Sequence, residues 1–173
     1  SMEDLAILSR HIISEFPELY HYFSHKEFVY NNIKQGNRNP LLYTMKGADG
    51  LKTGHTEEAG FCLAASATKG NRRLIEVMSG MNSNRERSEE AERLMSWGFR
   101  EFNNFKILNK GQIVATAKVW YGKDKTVNLT VAEDVLKTVH RSQQENVNVS
   151  AEFDEPVKAP IKAGQEVGSI KIE

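Results

Sequence analysis

Two periodicities divide this chain. Near its start Leu5, Leu8, Ile12 and Phe16 recur at helical spacing, with Ile13 widening the stripe. Residues 3–15 therefore predict an amphipathic helix whose stripe packs into a core. Pro17 ends or restarts that helix, and Leu19, Tyr20, Tyr22 and Phe23 predict a short aromatic-rich turn of helix. Lys26 to Asn31 alternates polar and apolar and is β-prone. Asn32 to Pro40 is rich in Asn and Gly and closes on proline, which is loop chemistry.

From Asp49 onward three strands are legible, at 49–56, about 60–68 and 72–80. The tight turn Lys69-Gly70-Asn71 joins the last two, so an antiparallel meander is expected. Asn82-Ser83-Asn84 offers helix caps. A helix over about 85–102 follows, with Ala91, Leu94, Met95, Gly98 and Phe99 inside. After Asn104 the helical spacing disappears. Short β-prone runs recur at 105–108, 113–121, 126–131, 135–139, 147–153, 157–161 and 167–172, separated by turn residues. That is the spacing of a small all-β sandwich or barrel. The expected class is α+β, with one domain over 1–103 and an all-β domain over 104–173.

Charge narrows the field little. Lys plus Arg and Asp plus Glu are 23 each, so nothing global points to nucleic acid or an anionic membrane. The one cysteine, Cys62, excludes an internal disulfide framework, and its apolar surroundings, Gly60 to Ala65, predict a buried structural thiol. Five histidines are scattered without ligand spacing, so no metal or organic cofactor is implied. No signal peptide or membrane-spanning run is present. Ser1-Met2 reads as a cloning scar and the last residues stop inside a strand, so an excised fragment is expected.

Asp49-Gly50-Leu51-Lys52-Thr53-Gly54-His55-Thr56 concentrates the candidate chemistry. Lys52 offers a fixed cation for a carboxylate, and Thr53 a hydroxyl donor and acceptor. Gly54 leaves room for a ligand backbone against the strand. The backbone N–H of His55 is free to meet a developing oxyanion. Arg38, in the Asn-rich loop, is either a solvated charge or a carboxylate clamp. A Lys-Thr-Gly tripeptide occurs in many unrelated chains; its context decides.

That context resembles the C-terminal half of the low-molecular-mass penicillin-binding proteins, the serine-type D-alanyl-D-alanine carboxypeptidases. The resemblance rests on Ile33-Lys34-Gln35, Asn37-Arg38-Asn39, Leu41-Leu42, Asp49 to Thr56, Ala59-Gly60, Ala65-Ser66-Ala67, Arg73-Leu74-Ile75, Trp97-Gly98-Phe99 and Pro156 to Gly168. It covers nearly the whole chain. It implies part of a penicillin-binding/β-lactamase-like domain followed by a β domain. The family's chemistry uses Ser-x-x-Lys, Ser-x-Asn and Lys-Thr-Gly. Only the third stands here in context. Ser66-Ala67-Thr68-Lys69 matches the first by letters, but it ends a strand downstream of Lys52, and no Ser-x-Asn occurs. The nucleophile is therefore expected outside this chain, which should be inactive by itself.

The resemblance implies acyl transfer in the parent protein. A serine attacks the bond between two D-alanines of a peptidoglycan stem peptide, the terminal D-alanine leaves, and water hydrolyses the acyl-enzyme. β-Lactams acylate the same serine. Lys52 and Thr53 would bind the terminal carboxylate, Arg87 and Arg38 would lie beside it, and the His55 N–H would form half of the oxyanion hole. Asp49 and the His55 side chain would act from behind, and Thr56 would pin the turn. The implied location is the periplasm, at the inner membrane through an anchor not in this chain. Loss of the partner half of the domain predicts exposed apolar surface and self-association. The alternatives are a non-catalytic β module serving as spacer or protein-contact platform, a peptidoglycan endopeptidase, and a β-lactamase relative.

Overall fold

The structure, a computed structural model, describes residues 1–172. It divides into two compact units, Ser1–Glu101 and Phe102–Glu173.

The first unit opens with α1 (Met2–Glu15), capped by Ser1: its Oγ accepts from the Asp4 N–H while the Asp4 carboxylate reaches back. Pro17 begins α2 (Pro17–Tyr20), which runs into a 3₁₀ turn, His21–Ser24. Strands β1 (Glu27–Tyr30) and β2 (Ile33–Gly36) then form a hairpin with Tyr30 opposite Ile33. This corrects the reading of residues 32–40 as loop throughout. Asn31 and Asn32 take φ of 49° and 58°, the left-handed pair that closes a two-residue hairpin and that asparagine tolerates. After α3 (Leu41–Thr44) come β3 (Ala48–Thr56), β4 (Gly60–Lys69) and β5 (Arg72–Met81), an antiparallel sheet in that order. α4 (Asn84–Glu101) follows, with Ser83 Oγ accepting from the Glu86 N–H.

Strand alternation gives the sheet two distinct faces. Leu63, Ala65 and Ala67 of β4 join Leu41 and α4's Ala91, Met95 and Phe99 in one core, with Leu74 and Met78 of β5 packed against it. Small residues let the helix lie close: a Cβ at Gly98 would stand 2.9 Å from Leu74 Cδ1. Ser66 and Arg73 belong to the opposite face, towards Tyr20.

α1 departs from its expected role. Leu5, Leu8 and Phe16 are 44 %, 54 % and 51 % exposed, and Ser9 is the helix's buried residue. The helix packs on β5, and its less exposed side carries Ala6, Ser9, Ile12 and Ile13, while Leu5, Leu8 and Phe16 are left outward.

The second unit contains β6 (Phe102–Leu108), β7 (Ile113–Trp120), β8 (Thr126–Thr130), β9 (Val135–His140), β10 (Val149–Phe153), β11 (Val157–Lys158) and β12 (Gly168–Ile172). Among the described residues they form three small sheets, β6-β9, β11-β7-β8 and β10-β12, and no closed barrel. Leu108, Ala117, Val131 and Val157 are buried. β11 is shorter than the run 157–161 suggests, because Pro160 has no N–H to extend the ladder. Val127, Leu129, Phe153, Ile161 and Ile170 face a concavity of about 970 Å³, the interior of this unit. The class is α+β, as expected.

Candidate functional site

β3 pairs with β4 on one side only, and among the described residues its other edge has no strand partner. Alternate backbone groups on such an edge point outward and can take an extended ligand. Lys52, Gly54 and His55 are exposed on it, while Thr53 is 9 % exposed. The Lys52 ammonium donates to the Thr53 carbonyl. A Cβ at Gly54 would touch only Cys62 Cβ, at 3.7 Å. Nothing among the described residues forces glycine there, so the bare position leaves open space over the strand. Gly50 is different: a Cβ would come 2.4 Å from the Tyr20 hydroxyl oxygen. Thr56 Oγ1 accepts from the Ala59 N–H and ties the following turn.

At the far end of β3 the side chains converge. His55 lies opposite Phe61 with ring centroids 4.1 Å apart. Arg87, from the first turn of α4, stands with its guanidinium 5.8 Å from the Phe61 ring centre. Its Nη2 donates to the Arg38 carbonyl at 3.3 Å. Arg87 is 6 % exposed, and its Nε has no hydrogen-bond partner among the described residues. Burial pushes its pKa down, Cys62 opposes that shift, and the positive charge of Arg38 adds to it. Two guanidiniums held near each other are stabilised by an anion between them. The six residues picked from sequence thus fall in two groups: Lys52, Thr53, Gly54 and His55 along β3, and Arg38 with Arg87 touching at its end. Cys62 is half-buried rather than sealed, its thiol donating to the Ala59 carbonyl at 3.3 Å.

The Arg38 loop is fastened on both flanks. Asn37 Nδ2 donates to the carbonyls of Phe23 and His25 at 3.2 and 3.0 Å. Asn39 is fully buried, accepts from the Leu41 N–H at 3.1 Å and donates to the Gly50 carbonyl of β3 at 2.6 Å.

A second cluster holds the start of β3. The β3–β4 register shifts at Asp49, a β-bulge. Arg73 grips its carboxylate with two donors, at 2.8 and 2.7 Å, and also donates to Ser66 Oγ at 2.6 Å. The Tyr20 hydroxyl donates to the same carboxylate at 2.9 Å. Hydrogen bonding to Asp49 pushes the Arg73 pKa up, and burial pushes that of Tyr20 up to about 12. Ser66 is therefore a fully buried acceptor within β4. Lys69, three residues on, lies on the opposite face of the strand. Sequence reading left Tyr20, Arg73 and Asn39 without roles. A pair of arginines opening a β-prone run, Arg72 and Arg73, was the one local hint.

Residues 1–83 match the D-alanyl-D-alanine carboxypeptidase family, and residues 102–173 match the family described as penicillin-binding protein 5, C-terminal domain. The D-alanyl-D-alanine carboxypeptidase DacD of Escherichia coli K12 is 42 % identical over 175 residues, covering 99 % of this chain and 45 % of that protein. The corresponding DacA of Haemophilus influenzae is 40 % identical over 173 residues, covering 98 % and 44 %. The crystal structure of penicillin-binding protein 5 from Haemophilus influenzae aligns with a TM-score of 0.82 at 39 % identity, covering 98 % of this chain and 50 % of that one. The chain thus spans a little under half the length of the curated relatives it matches. It belongs to the low-molecular-mass penicillin-binding proteins of the D-alanyl-D-alanine carboxypeptidase type.

Proposed function

We propose that the whole protein is a serine-type D-alanyl-D-alanine carboxypeptidase of the bacterial cell wall, and that this chain supplies the carboxylate-binding wall of its active site. The observation that carries this reading is the meeting of Arg87 and Arg38 beside the open Lys-Thr-Gly edge. A stem peptide ending in D-Ala-D-Ala lies along β3 as an added strand. Its terminal carboxylate is held by Lys52, Thr53 and the two arginines, and Gly54 makes room for its backbone. The His55 N–H donates to the oxyanion. The nucleophilic serine comes from sequence outside this chain, attacks the carbonyl between the two D-alanines, and expels the last one. β-Lactams are taken by the same route. The protein works in the periplasm, and its inner-membrane attachment uses another segment.

The test is D-alanine release from a pentapeptide by the full-length protein. Lys52→Ala is expected to lower kcat/KM by roughly 10²-fold, the size of losing one charged transition-state contact. Unchanged turnover would remove Lys52 from the site. Exposed Leu5, Leu8, Phe16 and Leu19 mark surface that the rest of the catalytic domain covers in the whole protein. By itself the chain is expected to self-associate through that surface, and a monodisperse monomer in light scattering would contradict this.

A further inference from the structure

We propose that Asn39 is a positioning residue for carboxylate recognition: its side chain braces the Arg38 loop against the Lys-Thr-Gly strand and so sets both arginines. This deepens the functional reading above and rests on it. Asn39 is fully buried and bonds in two directions at once. Its Oδ1 takes the Leu41 N–H at 3.1 Å, fixing the entry to α3, and its Nδ2 gives to Gly50 O at 2.6 Å, two residues before Lys52. The next residue back, Arg38, has its carbonyl bound by Arg87 Nη2 at 3.3 Å. Asn39 N–H donates to Asn37 Oδ1 at 3.0 Å, and Asn37 N–H to the Lys26 carbonyl at 2.7 Å. The loop is therefore held at both ends, but only the Asn39 amide among these contacts reaches β3.

Gly50 is itself immobilised. Tyr20 packs where its Cβ would be, and the neighbouring Asp49 carries the grip of Arg73. The brace therefore ends on a rigid anchor. Cutting it releases Arg38 from β3, and with Arg38 the carbonyl to which the Arg87 guanidinium donates. Lys52 and Thr53 stay in place, because β3 keeps its ladder to β4. The consequence is selective. Binding energy from the terminal carboxylate falls, while handling of the scissile bond remains.

The experiment uses the full-length protein and two substrates, an acylated D-Ala-D-Ala peptide with a free carboxylate and its C-terminal amide. Asn39→Ala is expected to cut the carboxylate-to-amide ratio of kcat/KM at least tenfold. In an Arg38→Gln/Arg87→Gln background the same change is expected to add less than twofold, since Asn39 acts on the carboxylate through those two guanidiniums. Asn39→Thr keeps an oxygen for the Leu41 N–H but is too short to reach Gly50. It reports the same ratio if the alanine variant fails to fold. A ratio that stays at the unsubstituted value, or equal losses on both substrates, overturns the proposal and leaves Asn39 as packing. Unsubstituted protein that releases no D-alanine overturns the functional reading before any variant is made.

Discussion

The two faces of the β3–β5 sheet each carry a carboxyl group, and the protein treats them in opposite ways. Asp49 accepts from Tyr20 and twice from Arg73, within 2.7–2.9 Å. Glu76, on the α4 face between Leu74 and Met78, is 6 % exposed, and neither carboxyl oxygen has a hydrogen-bond partner among the described residues. Burial pushes its pKa up to about 8. Side-chain chemistry is nearly the same in the two cases. The difference is partnership: Asp49 has a bidentate donor, whereas Glu76, enclosed by Ala65 and the α4 core, has none and holds its proton to higher pH. The paired acid lies at the head of the Lys-Thr-Gly strand, where a fixed bulge sets the register of everything after it.

Breaking the pair gives the largest expected effect on stability. Asp49→Ala leaves Arg73 two-thirds buried beside Tyr20 and Ser66 without its counter-charge. Chemical denaturation of the first unit should show a loss of roughly 2–3 kcal/mol, below the full buried-pair figure because both side chains keep some solvent. A loss under about 0.5 kcal/mol would place the pair with ordinary surface contacts. The orphan acid should behave in the reverse sense. Glutamate ionises near 4.5 when free and near 8 here. Between those pH values the folded unit keeps a proton that the unfolded chain has released, so stability falls as pH rises from about 4.5 to about 8 and then levels off. Glu76→Gln should remove that slope and stabilise the unit at pH 8, with little effect below pH 5. A parallel pH profile for the two proteins would show that Glu76 finds a partner in solution.

The same contrast explains what could be read from the letters. The meander was legible because Gly70-Asn71 punctuates two β-prone runs, and α4 because Ser83 precedes a helical stripe. The Lys52 string was legible because its flanks, Asp49-Gly50 and His55-Thr56, extend a common tripeptide. The hairpin at Asn31-Asn32 was missed, although two asparagines between β-prone residues are a turn signal in themselves. What local pattern cannot give is partnership at a distance. Asp49 and Arg73 are 24 positions apart, and Asn39 reaches 11 positions to Gly50. Glu76 looks like any polar residue in an alternating strand until α4 closes over it. The α1 stripe has correct helical spacing, but spacing does not say which side of the helix meets the sheet.

Covalent labelling by a fluorescent penicillin separates the two walls of the site most directly. In the proposed function the chain 1–173 supplies the Lys-Thr-Gly wall, and its only Ser-x-x-Lys by letters is the buried, Arg73-bonded Ser66. Mass spectrometry of this chain after exposure should show no adduct, while the full-length protein is labelled on a serine outside it. An adduct on Ser66, or an unlabelled full-length protein, would contradict that division of labour.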